Sequence, residues 1–314
     1  MSNLLCGPTM PDKTPRMTAR LAPALALALL LPFAGCTGPA EHHDVMATFY
    51  PLQYLAQRIG GADVSVGSVV KQGTEPHDYD PTVQDLNAIM DAKLLVVQGA
   101  GFENWIVRAR AQAPNTALVT ASDGIDLRAN PDEAEAATLP KDPHTWMDPP
   151  LYAKMARNVE AAMVAAFPEH ADAMHQRADS LIAEIGKLDT DFRTGLAHCA
   201  TPHVITGHAA FGYMASTYHF EQIPIEGLDP DAEPDSGTIN HVIDEARRYN
   251  ITIIFFEDLV NPALSEAIAK EVHAETRVLS PLEAIPQEKI ALGTDYFSVQ
   301  RENLQNLRDA MRCS

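Results

Sequence analysis

Residues 63–70 read DVSVGSVV and are followed, at residues 74–81, by TEPHDYDP. The valines with small neighbours predict a buried strand, and Asp80-Pro81 predicts a helix with Asp80 as its N-cap and proline at its first position. His77 would then lie at the carboxyl end of a strand, in front of a new helix. Open α/β sheets bind their ligands in the crevice beyond the carboxyl ends of the strands, so His77 is a candidate binding residue.

Three further candidates stand in rigid loops or directly after predicted strands. They are His144 in DPHTWMDP (142–149), His208 in ITGHAAFGYM (205–214) after a strand over 203–206, and Glu283 in VLSPLEAI (278–285) after a strand over 277–280. Successive candidates are 64 to 75 residues apart. Such separations exclude a local cluster of the zinc-finger type, whose paired ligands lie a few residues apart, and favour a site assembled between two domains.

The N-terminal residues 1–36 have the pattern of an export signal. Arg16 and Arg20 precede an apolar run over 21–33 that is short and interrupted by proline, and the stretch ends in Ala-Gly-Cys at 34–36. This ending resembles a bacterial lipoprotein cleavage box, which would leave Cys36 as the lipidated first residue. Plain soluble export is the alternative, because Phe33 is unusual three positions before such a cysteine. Either way, we expect the protein in the periplasm or at the outer face of the cytoplasmic membrane.

The composition is that of a folded, strongly acidic protein. The chain has 314 residues, 46% of them hydrophobic and 21% charged, and a formal net charge of −19. This length suits two ordinary domains. The negative charge argues against a nucleic-acid partner and favours solubility and the attraction of cations. We expect a monomer.

Strands and helices alternate through both halves of the chain after the signal. This pattern predicts an α/β fold of two parallel-sheet lobes, at residues 37–149 and 198–314, with a binding cleft between them. Residues 150–197 show only helical spacing and predict a linker whose second helix, over about 169–196, spans roughly 40 Å as a rigid backbone. An acidic surface loop over 126–142 leads to His144.

Two cysteines, Cys199 and Cys313, lie outside the predicted signal. Export would place them in an oxidising compartment, where a disulfide between them would staple the second lobe. Two free thiols are the open alternative, since the sequence does not give the distance between the residues.

Three imidazoles and one carboxylate form a ligand set that suits Zn(II), whereas Mn(II) prefers more oxygen ligands. An exported zinc hydrolase is an alternative, but it needs an open water position and a general base, and no HExxH pairing is present. A surface adhesin that keeps the fold for contact alone is a second alternative, and loss of the metal ligands would indicate it.

Several motifs taken together resemble one family over about residues 45–307. They are GTEPHDYDP (73–81), DPHTWMDP (142–149), ITGHAAFGYMA (205–215), IPIEGLDPDAEPDSGTI (223–239), ITIIFFEDLVNPALSEAIAKEV (251–272) and LSPLEAI (279–285). They are similar to the motifs of the metal-binding (cluster A-I, zinc and manganese) solute-binding proteins of ABC importers. The resemblance implies two α/β lobes bridged by a long helix with little hinge motion. It also implies a protein that is not an enzyme, but captures Zn(II) as the transported ion and hands it to an ABC permease.

The resemblance also implies the ligands. It makes His77, His144 and His208 metal ligands, and histidine at the third position favours zinc over the manganese-binding version of the same component. Many relatives have aspartate where this chain has Ser280, whereas other zinc-binding relatives use the glutamate that corresponds to Glu283. We therefore predict Glu283 as the fourth ligand, with Asp295 or water as alternatives. Glu257, at the end of a buried strand, is interpreted as a structural cap, with orientation of a histidine as the alternative.

Overall fold

Two four-stranded parallel sheets form the framework of the chain. The computed structural model describes residues 42–132, 135–230 and 232–314, so the predicted signal and Cys36 lie outside the described residues. The first sheet contains β1 Val45–Ala47, β2 Val66–Ser68, β3 Leu94–Val97 and β4 Ala117–Thr120, and the second contains β5 His203–Thr206, β6 Glu221–Pro224, β7 Ile253–Phe256 and β8 Glu275–Val278. Their strand orders, β2-β1-β3-β4 and β6-β5-β7-β8, are equivalent. The predicted fold class is confirmed.

Ten α-helices connect and cover the strands of the described residues. They are α1 Tyr50–Gly60, α2 Val83–Asp91, α3 Ile106–Gln112, α4 Pro149–Ala166, α5 Ala171–Gly195, α6 Gly212–Tyr218, α7 Ser236–Arg248, α8 Ala263–Val272, α9 Gln287–Ala291 and α10 Tyr296–Met311. The short helix α9 was not predicted. No helix in the described ranges is sufficiently long and apolar to cross a bilayer.

The start of α2 corrects the prediction made from Asp80-Pro81. The helix begins at Val83 with Thr82 as its N-cap. The Thr82 hydroxyl accepts the backbone N–H of Asp85, and the Asp85 carboxylate accepts the backbone N–H of Thr82. This capping box satisfies end groups that an earlier start would leave unpaired. Asp80 instead forms an ion pair with Arg108.

Helix α5 runs along both halves of the structure. Its 25 residues span about 37 Å at the α-helical rise. Its buried residues recur every three or four positions and are Met174, Ala178, Leu181, Ile185, Leu188 and Phe192. These residues pack in one core with α1, α4 and α10. Because α1 precedes β2 and α10 follows β8, α5 contacts an element of each half. The exact lobe boundaries at 149/150 and 197/198 remain predictions.

The two cysteines form a disulfide. Cys199 precedes β5, Cys313 follows α10, and 114 residues separate them. Of the two alternatives that the sequence left open, the structure contains the bridge. It joins the entry to the second sheet with the end of the last helix.

Candidate metal centre

Four buried side chains meet where the loops of the two sheets approach each other. The ligand atoms of His77, His144, His208 and Glu283 all lie within 4.8 Å of one another. Oε1 of Glu283 lies 3.1 Å from Nε2 of His77, 3.2 Å from Nε2 of His144 and 3.4 Å from Nε2 of His208. The structure therefore brings together all four residues predicted from the sequence.

The spacing of these atoms suits a tetrahedral zinc ion. Four ligand atoms about 2.0–2.2 Å from zinc at tetrahedral angles are about 3.3–3.6 Å apart. The three contacts to Glu283 and the 3.2 Å distance between Nε2 of His144 and Nε2 of His208 are close to these values. The donor set can accept the ion without a large rearrangement.

Each candidate comes from a loop at the carboxyl edge of its sheet. His77 lies between β2 and α2, His144 between β4 and α4, His208 directly after β5, and Glu283 after β8. Asp295, the alternative fourth ligand, is the N-cap of α10. Its carboxylate accepts the backbone N–H of Ser298 at 2.8 Å and the hydroxyl of Tyr54 at 3.0 Å, so it serves the helix end.

Two of the histidines are oriented by carboxylates behind them. Oδ1 of Asp142 accepts the backbone N–H of His144 at 3.0 Å and contacts its Nδ1 at 2.9 Å. Oε1 of Glu257 does the same for His208, at 3.0 Å and 2.6 Å. An ionised carboxylate only accepts hydrogen bonds, so Nδ1 carries the proton and Nε2 faces the other ligands.

For Glu257 the structure favours the alternative, orientation of a histidine, over the structural cap, because its carboxylate holds a candidate ligand. A Cβ atom at Gly207 would lie 2.6 Å from Oε1 of Glu257, so glycine permits the close approach. Asp142 was not singled out from the sequence. Its position two residues before His144 in DPH was the available signal.

Burial and the neighbouring charged or hydrogen-bonding groups shift the pKa values of this cluster in opposite directions. Burial lowers the pKa of His144, but hydrogen bonds to Asp142 and Glu283 outweigh it and the pKa is raised. Burial likewise lowers the pKa of His208, but the charges of Glu257 and Glu283 bring it well above the usual value. Burial raises the pKa of Glu283, yet His77 and His208 hold it well below its usual range. Without metal, the raised pKa values of His144 and His208 favour their protonated forms beside an ionised Glu283.

Sequence reasoning also missed Glu75, which adjoins His77. Its Oε1 accepts the backbone N–H of His77 at 2.9 Å, and burial together with the charge of Glu283 raises the pKa of Glu75 to about 8. The ring of His77 packs edge-on against Phe102, with centroids 4.8 Å apart. A cavity of about 220 Å³ beside His77 and Asp78 adjoins the candidate metal site.

Two equivalent parallel α/β lobes with a buried ligand cluster at their carboxyl edges define a two-lobed metal-site protein of the solute-binding class. Residues 45–310 match the model of the ZnuA family, described as the zinc-uptake complex component A, periplasmic, and the chain belongs to that family. Proteins of this family bind metal ions and work with the permease of an ABC transporter.

Two curated relatives illustrate the extent of the match. Zinc-binding protein AdcA of Streptococcus pyogenes serotype M6 is 31% identical over 283 residues, which cover 84% of this chain and 55% of AdcA. The chain thus spans about half the length of the AdcA relatives. The high-affinity zinc uptake system protein ZnuA of Bacillus subtilis is 31% identical over 277 residues, which cover 85% of this chain and 87% of that protein.

Two solved structures share the fold. The Zn(II)-bound ZnuA-like domain of Streptococcus pneumoniae AdcA has a TM-score of 0.74 and 27% identity, and the match covers 86% of this chain and 99% of that chain. The laminin-binding protein Lmb of Streptococcus agalactiae has a TM-score of 0.77 and 29% identity with the same coverage, and is described as having adhesin and metal-transporting activity.

These relationships bear on both alternatives. The family is a metal-binding transport component and not an enzyme, which removes the hydrolase. Lmb combines adhesion with metal transport. The presence of the four candidate ligands therefore does not by itself distinguish an adhesin from a transport component.

Proposed function

We propose that this chain captures Zn(II) outside the cytoplasmic membrane and delivers it to the permease of an ABC importer. The observation that carries the proposal is the cluster of three imidazole nitrogens and one carboxylate oxygen, all within 4.8 Å of one another and with four of the six separations close to those around a tetrahedral zinc ion. The zinc-binding and zinc-uptake relatives support it. We further propose His77, His144, His208 and Glu283 as the ligands of the transported ion.

The donor set favours zinc over manganese. Imidazole suits zinc, whereas manganese prefers octahedral sites rich in oxygen. His208 supplies a nitrogen ligand to this set. A carboxylate in place of His208 would add an oxygen ligand and favour manganese. The backing carboxylates Asp142 and Glu257 make the imidazoles of His144 and His208 more basic and so strengthen nitrogen ligation.

The place of capture follows from the predicted signal. Relatives include the zinc-binding lipoprotein AdcA of Streptococcus pneumoniae, consistent with an exported location. We propose that residues 1–36 direct export and that lipid on Cys36 retains the chain at the outer face of the cytoplasmic membrane. The ion would then be captured close to the permease that receives it.

The proposal is tested by the metal content and selectivity of the purified protein. Native mass spectrometry should show one zinc ion per chain, and competition with a chelator should give a far lower Kd for zinc than for manganese. Anomalous scattering at the zinc edge should place the ion among the four side chains. A protein that retains no zinc, or that prefers manganese, would contradict the proposal.

The backing carboxylates lead to a prediction about affinity. Glu257→Gln replaces a charged acceptor of His208 by a neutral one and should weaken zinc binding by about 10- to 100-fold, the usual effect of losing such a partner. Isothermal titration with a competing chelator measures the change.

Glu160→Gln is the matched control. Glu160 is a buried carboxylate that also accepts from a histidine, with Oε1 at 2.7 Å from Nδ1 of His175, but it lies on α4 and not among the candidate ligands. Its replacement should leave zinc affinity unchanged. Equal losses in both variants would mean that Glu257 acts on general stability and not on His208.

A further inference from the structure

Gln98 is a fully buried polar side chain at the carboxyl end of β3, and its amide contacts the loop on both sides of His144. Nε2 of Gln98 donates to the backbone oxygen of Pro143 at 2.7 Å and to the hydroxyl oxygen of Thr145 at 2.8 Å. One amide nitrogen thus holds the residue before and the residue after a candidate ligand.

The base of this side chain is itself fixed. The backbone N–H of Gln98 donates to Oε1 of Glu103 at 2.7 Å, and its backbone oxygen accepts the hydroxyl of Ser122 at 2.6 Å. Oε1 of Glu103 also accepts the hydroxyl of Thr48 at 2.6 Å. Because Thr48 follows β1 and Ser122 follows β4, these bonds tie Gln98, at the end of β3, to the ends of two other strands of the first sheet.

The opposite side of the His144 loop is held by the second half of the chain. The hydroxyl of Tyr213 donates to the backbone oxygen of Asp142 at 2.8 Å, and Nε1 of Trp146 donates to the backbone oxygen of Pro281 at 2.8 Å. The hydrogen bonds of Gln98 join this loop to the first sheet. Phe102, in the segment that follows the same strand, packs against the ring of His77. The amide therefore attaches the His144 loop to the strand end that precedes Phe102.

All polar contact of the amide runs through its nitrogen. Among the residues that the structure describes, Oε1 of Gln98 has no hydrogen-bond partner. Replacement by methionine nearly keeps the size of the side chain, adds no charge and removes both N–H donors, which makes the two hydrogen bonds testable separately from packing.

We propose that Gln98 is a positioning residue for metal capture, which holds His144 at ligand distance from His77, His208 and Glu283 before the ion arrives. It acts through Pro143 and Thr145 and touches no ion itself. Without it, the metal-free loop populates other arrangements, and apparent affinity falls by the fraction of molecules that remain competent. The proposal rests on the zinc-binding function proposed above.

The test compares Gln98→Met and Gln98→Leu with Thr116→Val in the full chain. Thr116→Val is the control, because it removes one buried hydrogen bond to a backbone oxygen beside the first sheet, that of Ile89 at 2.9 Å, and touches neither Gln98 nor the His144 loop. Three quantities are measured: zinc Kd by chelator competition, Tm without metal, and the visible absorption of the Co(II)-loaded protein, whose intensity reports tetrahedral coordination.

Both Gln98 variants should bind zinc about 10- to 100-fold more weakly and show weaker Co(II) absorption, as expected when a group that orients a ligand is lost. Thr116→Val should lower Tm but keep the zinc Kd and the Co(II) spectrum of the unsubstituted protein. If a Gln98 variant does not fold, Thr145→Val removes one of the two acceptors and should give a smaller change in the same direction.

Gln98 variants that lose Tm but retain the affinity and spectrum of the unsubstituted protein would overturn this inference and leave the proposed function intact. Failure of the unsubstituted protein to bind zinc would instead overturn the proposed function, and this inference with it.

Discussion

Glu283→Gln is expected to abolish most of the thermal stabilisation that zinc gives to this protein. Only the folded chain presents the four ligands together, so zinc at a thousandfold excess over its Kd should stabilise the unsubstituted protein by about 4 kcal/mol. For a chain of this size, that corresponds to a rise in Tm of roughly 10 °C. Oε1 of Glu283 contacts all three histidines, and glutamine replaces this charged ligand by a neutral amide of similar size.

Asp295→Asn provides the comparison, because Asp295 was the alternative fourth ligand. Asparagine is as good an N-cap as aspartate, so the end of α10 should be preserved. Differential scanning calorimetry with and without zinc should give an unchanged shift for Asp295→Asn and a nearly absent one for Glu283→Gln. The reverse result would exchange the two assignments.

Stability with and without zinc should change in opposite directions as the pH rises. The folded-state pKa values of His144 and His208 are raised above the ordinary value of 6.5. The stability that these groups contribute without metal is fully present below that value and is lost as the pH rises through the folded-state pKa values. The contribution of Glu283 has the opposite sign: it is present above the ordinary pKa of a carboxyl group and is lost as the pH falls through its lowered folded-state value. That change lies outside the neutral range.

Zinc requires neutral imidazoles and must displace these protons, so its stabilising effect should grow over the same range. Between about pH 6 and about pH 8, this cluster should lower the Tm of the metal-free protein and increase the zinc-dependent shift. Because the pKa values are raised, the loss of affinity on acidification should begin above the usual pKa of histidine. Paired melting curves across this range measure both effects.

Glu257→Gln should reduce the pH dependence, because the charge of Glu257 helps to raise the pKa of His208. Titrations in buffers of different ionisation enthalpy should also show protons released when zinc binds. A zinc-dependent shift that is constant across the range would contradict ligation by these histidines.

The candidate ligands could be predicted because each lies in a recognisable local motif or directly after a predicted strand. His77 and His208 each follow a short apolar segment, and parallel strands of one sheet end at the same edge. The start of α2 was predicted two residues too early, because proline after aspartate is a common helix start, whereas the reciprocal bonds of Thr82 and Asp85 depend on the actual backbone path.

The residues that orient the ligands were less predictable: orientation of a histidine by Glu257 was an alternative, with no indication of which histidine, and Asp142 was not singled out. In the second sheet, β5 pairs in parallel with β7 so that Ile205 is opposite Ile254. Continuing this register places Glu257 beside His208, although 49 residues separate them in the chain. Gln98 likewise reaches its acceptors at Pro143 and Thr145 only because the first sheet and the loop before α4 are packed together.

The sequence by itself determined the alternating α/β plan, the long helix and the identity of the four candidate ligands. Strand and helix periodicities and local motifs depend on residues that are close together in the chain. Tertiary structure alone decided the pairing of Cys199 with Cys313, the carboxylates behind the histidines and the distances between ligand atoms. These depend on strand register and on loop packing, which join residues far apart in the chain and are set by the free energy of the whole fold.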